Sequence, residues 1–194
     1  MRKKTTATSE KSTPNVSPRE RFDAFTADEK WVTRALAVVY IPVRESNVRD
    51  MLTWLRRESM FDLGGAASHV KETLAALESK GLAVKNAKGL WQCDETIVEI
   101  AARAAQRDGL FAPLAKAAED ALPVKPYWYY PGYNSFAEAM RSIRTVVYTK
   151  QSGQLDSVLQ TAKTRFPVEF HRQHPLVRIA CNPFDPDWLG EQSA

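Results

Sequence analysis

The stretch HVKETLAALESKGLAVKNAKGLWQC, residues 69–93, constrains the fold more than any other. Val70, Leu74 and Leu77 recur at helical spacing, so one face of a helix over 66–80 points inward. Gly81 follows at the position where a left-handed backbone is cheap, and ends it. LAVKNAKGLWQC then reads as strand, turn at 86–89 and strand. A helix closed at once by a two-stranded ribbon must bury its apolar stripe against elements from elsewhere in the chain.

Those elements precede it. TADEKWVTRALAVVY offers Thr26 as N-cap, acids in the first turn, and Trp31, Leu36, Val39 and Tyr40 near helical spacing, with Pro42 as its end. SNVRDMLTWLRRE predicts a second helix capped by Ser46, with Val48, Met51, Leu52 and Leu55 on one face. The Gly64–Gly65 pair permits the turn before the third helix and has no wider phosphate-loop pattern. Beyond residue 93 the signal is helical. DETIVEIAARAAQRDG has Asp94 as N-cap and ends at Gly109, and a further helix covers 110–121. SFAEAMRSIRTVVYTK and GQLDSVLQTAKTRF form an αα-hairpin that could open a helical array. The final segment, from Pro167, has one strong apolar stretch at 176–181.

Three helices followed by a ribbon resemble the winged helix-turn-helix domain, over residues 26–93 and most of all in the stretch quoted above. The expected fold is mainly α: a winged helix-turn-helix of three helices and a β-hairpin wing, packed with a C-terminal helical domain. The parts expected are a disordered basic tail over 1–21, a winged-helix domain over 22–93, and a helical domain over 94–194 with an aromatic loop at 125–134 and a Pro-rich end.

The resemblance implies that the third helix enters the major groove and that the wing reaches phosphate. By position, the groove-facing residues are Ser68, His69, Lys71, Glu72, Thr73 and Ala76; Lys85, Asn86 and Lys88 lie on the wing, with Arg56 and Arg57 alongside. Base reading favours Arg, Lys, Asn and Gln. This helix has no Arg or Asn and carries Glu72 and Glu78. A DNA face requires one continuous basic surface with His69 and Thr73 exposed at its centre; acids that interrupt it favour protein docking.

The net charge of +4 does not decide the matter. Residues 1–21 hold six Lys or Arg against two acids, which leaves 21 of each sign in the remainder. Residues 22–93 have ten basic against nine acidic side chains. Non-specific DNA affinity needs a concentrated basic surface, and the excess charge sits in the tail.

Tyr127, Trp128, Tyr129, Tyr130 and Tyr133 form the most unusual local composition. Their ranked uses are a packing plug, a protein-partner contact, and stacking on unpaired bases with Lys125, Arg141 and Arg144 as the basic groove. His171 and His174, with Glu169 and Cys181 nearby, lack a second clean ligand pair, so surface histidines are expected and no metal. No nucleophile elbow or Ser-His-Asp order is present, and no catalytic residue, cofactor or small-molecule substrate is assigned. Cys93 and Cys181, far apart, are expected as free thiols.

The leading expectation is a non-catalytic regulatory module of a cytoplasmic, bacterial protein, with no membrane span, whose winged helix contacts duplex DNA while its helical part meets a protein or a second copy. The alternative is a protein-interaction or scaffolding module without a nucleic-acid role. The Pro-rich ending NPFDPDWLG and the lone αα-hairpin point to an accessory domain of a larger helicase-like or signalling protein.

Overall fold

A computed structural model describes residues 17–58, 61–122 and 132–192. The chain is mainly helical, with one small antiparallel sheet. In order, α1 is Pro18–Asp23, α2 Ala27–Val39, α3 Glu45–Glu58 and α4 Val70–Ser79. The strands β1 (Ala83–Lys85) and β2 (Trp91–Cys93) follow, with Ala83 opposite Cys93 and Lys85 opposite Trp91. Then come α5 (Val98–Arg107), α6 (Phe111–Ala121), α7 (Phe136–Tyr148) and α8 (Ser152–Arg165), and three short helices, α9 (Pro167–Arg172), α10 (Pro175–Cys181) and α11 (Pro186–Gln192). Among the described residues no helix is long and apolar enough to cross a membrane.

Local signals account for most helix ends. Thr26 Oγ1 accepts from the Glu29 N–H while the Glu29 carboxylate accepts from the Thr26 N–H, a reciprocal capping box. Gly81 (φ +66°) and Gly109 (φ +70°) close α4 and α5 in the left-handed region, and the Leu82 N–H returns to the Leu77 carbonyl at 2.9 Å. Four expected boundaries move. Residues 17–21, expected in the tail, lie in or beside α1, because Ser17 and Glu20 form a second capping box and Phe22 is buried. Ser46 lies inside α3 instead of capping it; Asn47 Oδ1 caps the Arg44 N–H. The third helix starts at Val70, since Gly64 (φ +52°) turns the chain and 64–68 remain in turns. Asp94 holds the turn before α5 by accepting from the Thr96 N–H and hydroxyl, so α5 begins at Val98.

The C-terminal prolines begin helices instead of preventing them. Pro167, Pro175 and Pro186 each occupy the first residue of a short helix, where a missing N–H costs no hydrogen bond. Trp188 anchors this region, buried and donating from Nε1 to Gln106 Oε1 at 2.6 Å.

The packing places α5 and α6 directly on α2 and α3. Buried residues on both sides of residue 93, such as Leu36, Met51 and Leu74 on one and Ala101, Leu114 and Ile143 on the other, belong to one hydrophobic cluster. The α7–α8 hairpin forms as expected. On its outer helix Gln154, Asp156, Gln160 and Lys163 are exposed, while Leu155, Val158 and Leu159 are half-buried against the core.

A polar network runs through this core. Arg144, 0% exposed, donates from Nε and Nη2 to the two carboxylate oxygens of Glu99, 1% exposed, at 2.9 and 3.1 Å. Its Nη1 donates to the Ala37 carbonyl at 2.5 Å. The Tyr148 hydroxyl also donates to Glu99, and the Tyr40 ring lies 4.4 Å from the Arg144 guanidinium carbon. Tyr40 terminates α2 in a left-handed conformation, φ +63°, costly for a bulky residue unless its surroundings fix it. Burial disfavours the Arg144 charge, but the Glu99 carboxylate outweighs it and raises the pKa.

Burial, then the nearby Glu99 charge, pushes the Tyr148 hydroxyl well above its ordinary value of 10.0. Burial also raises Tyr40. The unfolded chain ionises these phenols near pH 10 while the fold keeps them neutral, so their stabilisation is complete below pH 10 and declines as pH rises further. Urea unfolding should therefore show stability falling above pH 10, by up to about 1.4 kcal/mol per pH unit for each phenol. Tyr148→Phe should lower stability at neutral pH and make that alkaline slope shallower; an unchanged slope would remove Tyr148 from the account.

Candidate functional site

Two helices of the N-terminal trio keep an open face: α3, with Arg49, Asp50, Thr53, Arg56 and Arg57 among its exposed residues, and α4, which leads into the ribbon. On α4 the inner residues Val70, Leu74 and Leu77 are fully buried against α2 and α3, and β1 follows directly. Ser68, His69, Lys71, Glu72, Ala75 and Glu78 remain exposed. Beside α4, the ribbon presents Lys85, Asn86 and Lys88 at its tip.

Thr73, expected at the centre of the groove-facing surface, is 6% exposed. Its hydroxyl donates back to the His69 carbonyl at 2.8 Å, so it serves the helix and the core. Ala76 is half-buried. His69 is exposed, but its Nδ1 lies 3.4 Å from Asp28 Oδ2, so a carboxylate from the first turn of α2 stands at the start of α4. The ring also lies over Gly65, where an added Cβ would come within 2.5 Å of Nδ1.

The expected arginines are partly committed. Arg56 donates from Nη2 to the Gly64 carbonyl at 2.6 Å and closes the turn before α4. Arg57 donates to its neighbour Glu58 at 2.9 Å, which offsets its charge. On the ribbon, Asn86 Oδ1 accepts from the Lys88 and Leu90 N–H groups at 2.9 and 3.0 Å, so its side chain builds the turn. Lys85 Nζ sits 5.0 Å from the Trp91 ring. At the far end of α4, Lys80 pairs with Glu29, whose carboxyl is held below its ordinary range: burial opposes the shift, and the Lys80 and Thr26 hydrogen bonds outweigh it. The exposed charges of α4 are thus mixed in sign, Lys71 with Glu72 and Glu78, and Asp28 stands beside His69 at its start.

An isolated bridge flanks the ribbon on its β2 side. Val43, between α2 and α3, pairs with Trp91 through reciprocal backbone bonds of 2.9 and 2.7 Å. Tyr133 is half-buried against the core; Tyr127, Trp128, Tyr129 and Tyr130 lie outside the described residues, as does Lys125. Arg141 and Arg144, considered as a basic groove, are instead buried. Sequence reasoning missed Asp28 and Val43, because the first reads as a helix-start acid and the second as a residue after a proline. His171 and His174 are exposed, and among the described residues no group of three potential metal ligands comes together. Cys93 is buried and Cys181 exposed, both as free thiols.

Comparisons with protein-family models, with curated proteins and with solved structures found no match. The assignment of a role therefore rests on the geometry.

Burial at Thr73 separates it sharply from its neighbours. Thr73→Lys should cost about 1–3 kcal/mol in urea unfolding, because a charge enters the core side of α4. Lys71→Ala and Lys88→Ala should each stay within about 0.5 kcal/mol of the parent. Equal tolerance at all three positions would contradict this placement of α4.

Proposed function

We propose that residues 26–93 are a winged helix-turn-helix unit acting as a non-catalytic protein-docking module, with α4 and the ribbon as the docking face. The order helix, single bridge residue at Val43, helix, helix and ribbon supports the fold reading, since Val43 pairs with Trp91 on the open edge of β2. The single observation that carries the functional reading is the mixed charge on the exposed side of α4, Lys71 with Glu72 and Glu78. Phosphate backbones reward a surface of one sign, whereas a protein partner can match both signs and is held in register by them. The burial of Thr73 and the presence of Asp28 beside His69 weigh against a continuous basic face.

Duplex DNA is the second reading, favoured by exposed Lys71, Lys85 and Lys88 on adjacent elements. In that case the lysines touch phosphate, affinity falls steeply with salt, and sequence preference is weak. The helical layer of α5 and α6 sits behind α2 and α3 in either reading, and leaves α4 outward.

Fluorescence anisotropy of labelled duplex and single-stranded DNA, at low and near-physiological salt, separates the readings. Under the docking reading, a chain beginning at Ser17 shows no saturable duplex binding at near-physiological salt, and Glu72→Lys with Glu78→Lys abolishes capture of protein partners from extract. Duplex binding that persists in that chain and acquires a shallower salt slope on Lys71→Ala with Lys88→Ala would overturn it in favour of DNA.

A further inference from the structure

The exposed side of α4 carries three charges that the fold leaves without partners. Lys71, Glu72 and Glu78 are exposed, and among the described residues none of their side chains forms an ion pair or a hydrogen bond. Helical spacing accounts for this. Lys71 has Leu74 and Ala75 three and four residues ahead of it, and Glu78 has the same two residues four and three behind it, so neither meets an opposite charge within the helix. The next lysine, Lys80, is already taken by Glu29.

Lys71 and Glu78 are seven residues apart, close to two turns, and so lie on one flank of α4 towards its opposite ends. Ala75 is exposed between them, and its small side chain lets another helix axis approach to about 8 Å. Opposite charges at opposite ends of one flank match a copy of themselves. When a second α4 is laid antiparallel about a twofold axis at Ala75, each flank meets the same flank of the other copy with its ends exchanged. Lys71 then faces Glu78 of the second copy, and Glu78 faces Lys71 of the second copy. A parallel pairing sets like charge on like at both positions. Glu72 lies about 100° round the helix from Lys71, on the other flank of Ala75, and is not brought against Glu78 of the second copy.

We infer that α4 docks antiparallel to α4 of a second copy of this chain, with Ala75 at the axis and two Lys71–Glu78 pairs beside it. The inference rests on the docking reading of α4 and names its partner. A contact between two helices of ten residues falls short of the roughly 1,200 Å² that a standard stable interface buries, and exposed ion pairs are screened by salt. The dimer is therefore weak, concentration-dependent and salt-sensitive.

Sedimentation equilibrium of the full chain, at low and near-physiological salt, tests the inference. The parent should dimerise with Kd of order 100 µM or below at low salt, and more weakly as salt rises. Lys71→Glu and Glu78→Lys each turn two attractions into two repulsions, and each should weaken the dimer about tenfold or more. Mixed in equal amounts, the two variants restore opposite charges at both contacts and should pair with each other about as tightly as the parent pairs with itself. Since both variants must be folded to pair, recovery in the mixture separates lost charge matching from lost structure. A parent that stays monomeric up to about 1 mM, single variants that dimerise like the parent, or a mixture no tighter than either variant alone would overturn the inference. Overturned in this way, it leaves α4 open to a different protein; the docking reading itself fails only on duplex binding that Lys71→Ala weakens.

Discussion

The buried guanidinium of Arg144 fixes the arrangement of three helices at once. It takes both oxygens of Glu99 on α5, reaches the last turn of α2 at the Ala37 carbonyl, and carries the Tyr40 ring on one face. A charge so placed depends on every partner. Removing one member of such a pair typically costs about 3–5 kcal/mol, because the other is left charged and dry, whereas replacing both by apolar groups can cost little. The pair therefore specifies an arrangement more than it adds net stability. Its specific consequence is that α7, at the start of the C-terminal hairpin, reports on the end of α2 and on the left-handed exit of the chain at Tyr40.

That coupling shapes how the open face works. The exposed face of α4 is backed by α2 and α3, which are backed in turn by α5 and α6. Few side chains on α4 are free to adapt, since Val70, Thr73, Leu74 and Leu77 are committed inward and both ends are tied, by Asp28 at the start and Glu29 through Lys80 at the finish. Under the docking proposal, a helix held this way would meet a preformed surface with little ordering cost.

Local chemistry made much of the fold legible in the sequence. Thr26, Gly81 and Gly109 mark helix ends through interactions with residues a few positions away, and the ribbon turn at Asn86 is likewise local. The misplaced starts at Ser46 and Asp94 are local too: each residue can cap, and a competing side chain, Asn47 or Thr96, settles which turn forms. The C-terminal helices were hidden because proline marks helix starts as well as breaks, and only burial of Trp188 shows which applies. The site was less legible. Glu99 and Arg144 are far apart in sequence, and nothing local marks them as partners, so Arg144 entered only the third-ranked use of the aromatic loop, as part of a basic groove, when it lies in the core. Thr73 fell on the border between the inner and outer faces of α4, where a shift of a fraction of a turn decides burial.

Native-state hydrogen exchange on the parent chain and on Glu99→Gln tests most directly the claim that Arg144 joins the N-terminal trio and the later helices into one folding unit. The account predicts that amides of α2 and of α7 lose protection together and by similar free energies, because the substitution leaves the same buried guanidinium short of a partner for both. Loss confined to α7, with α2, α3 and α4 retaining full protection, would contradict it and show two units that fold independently.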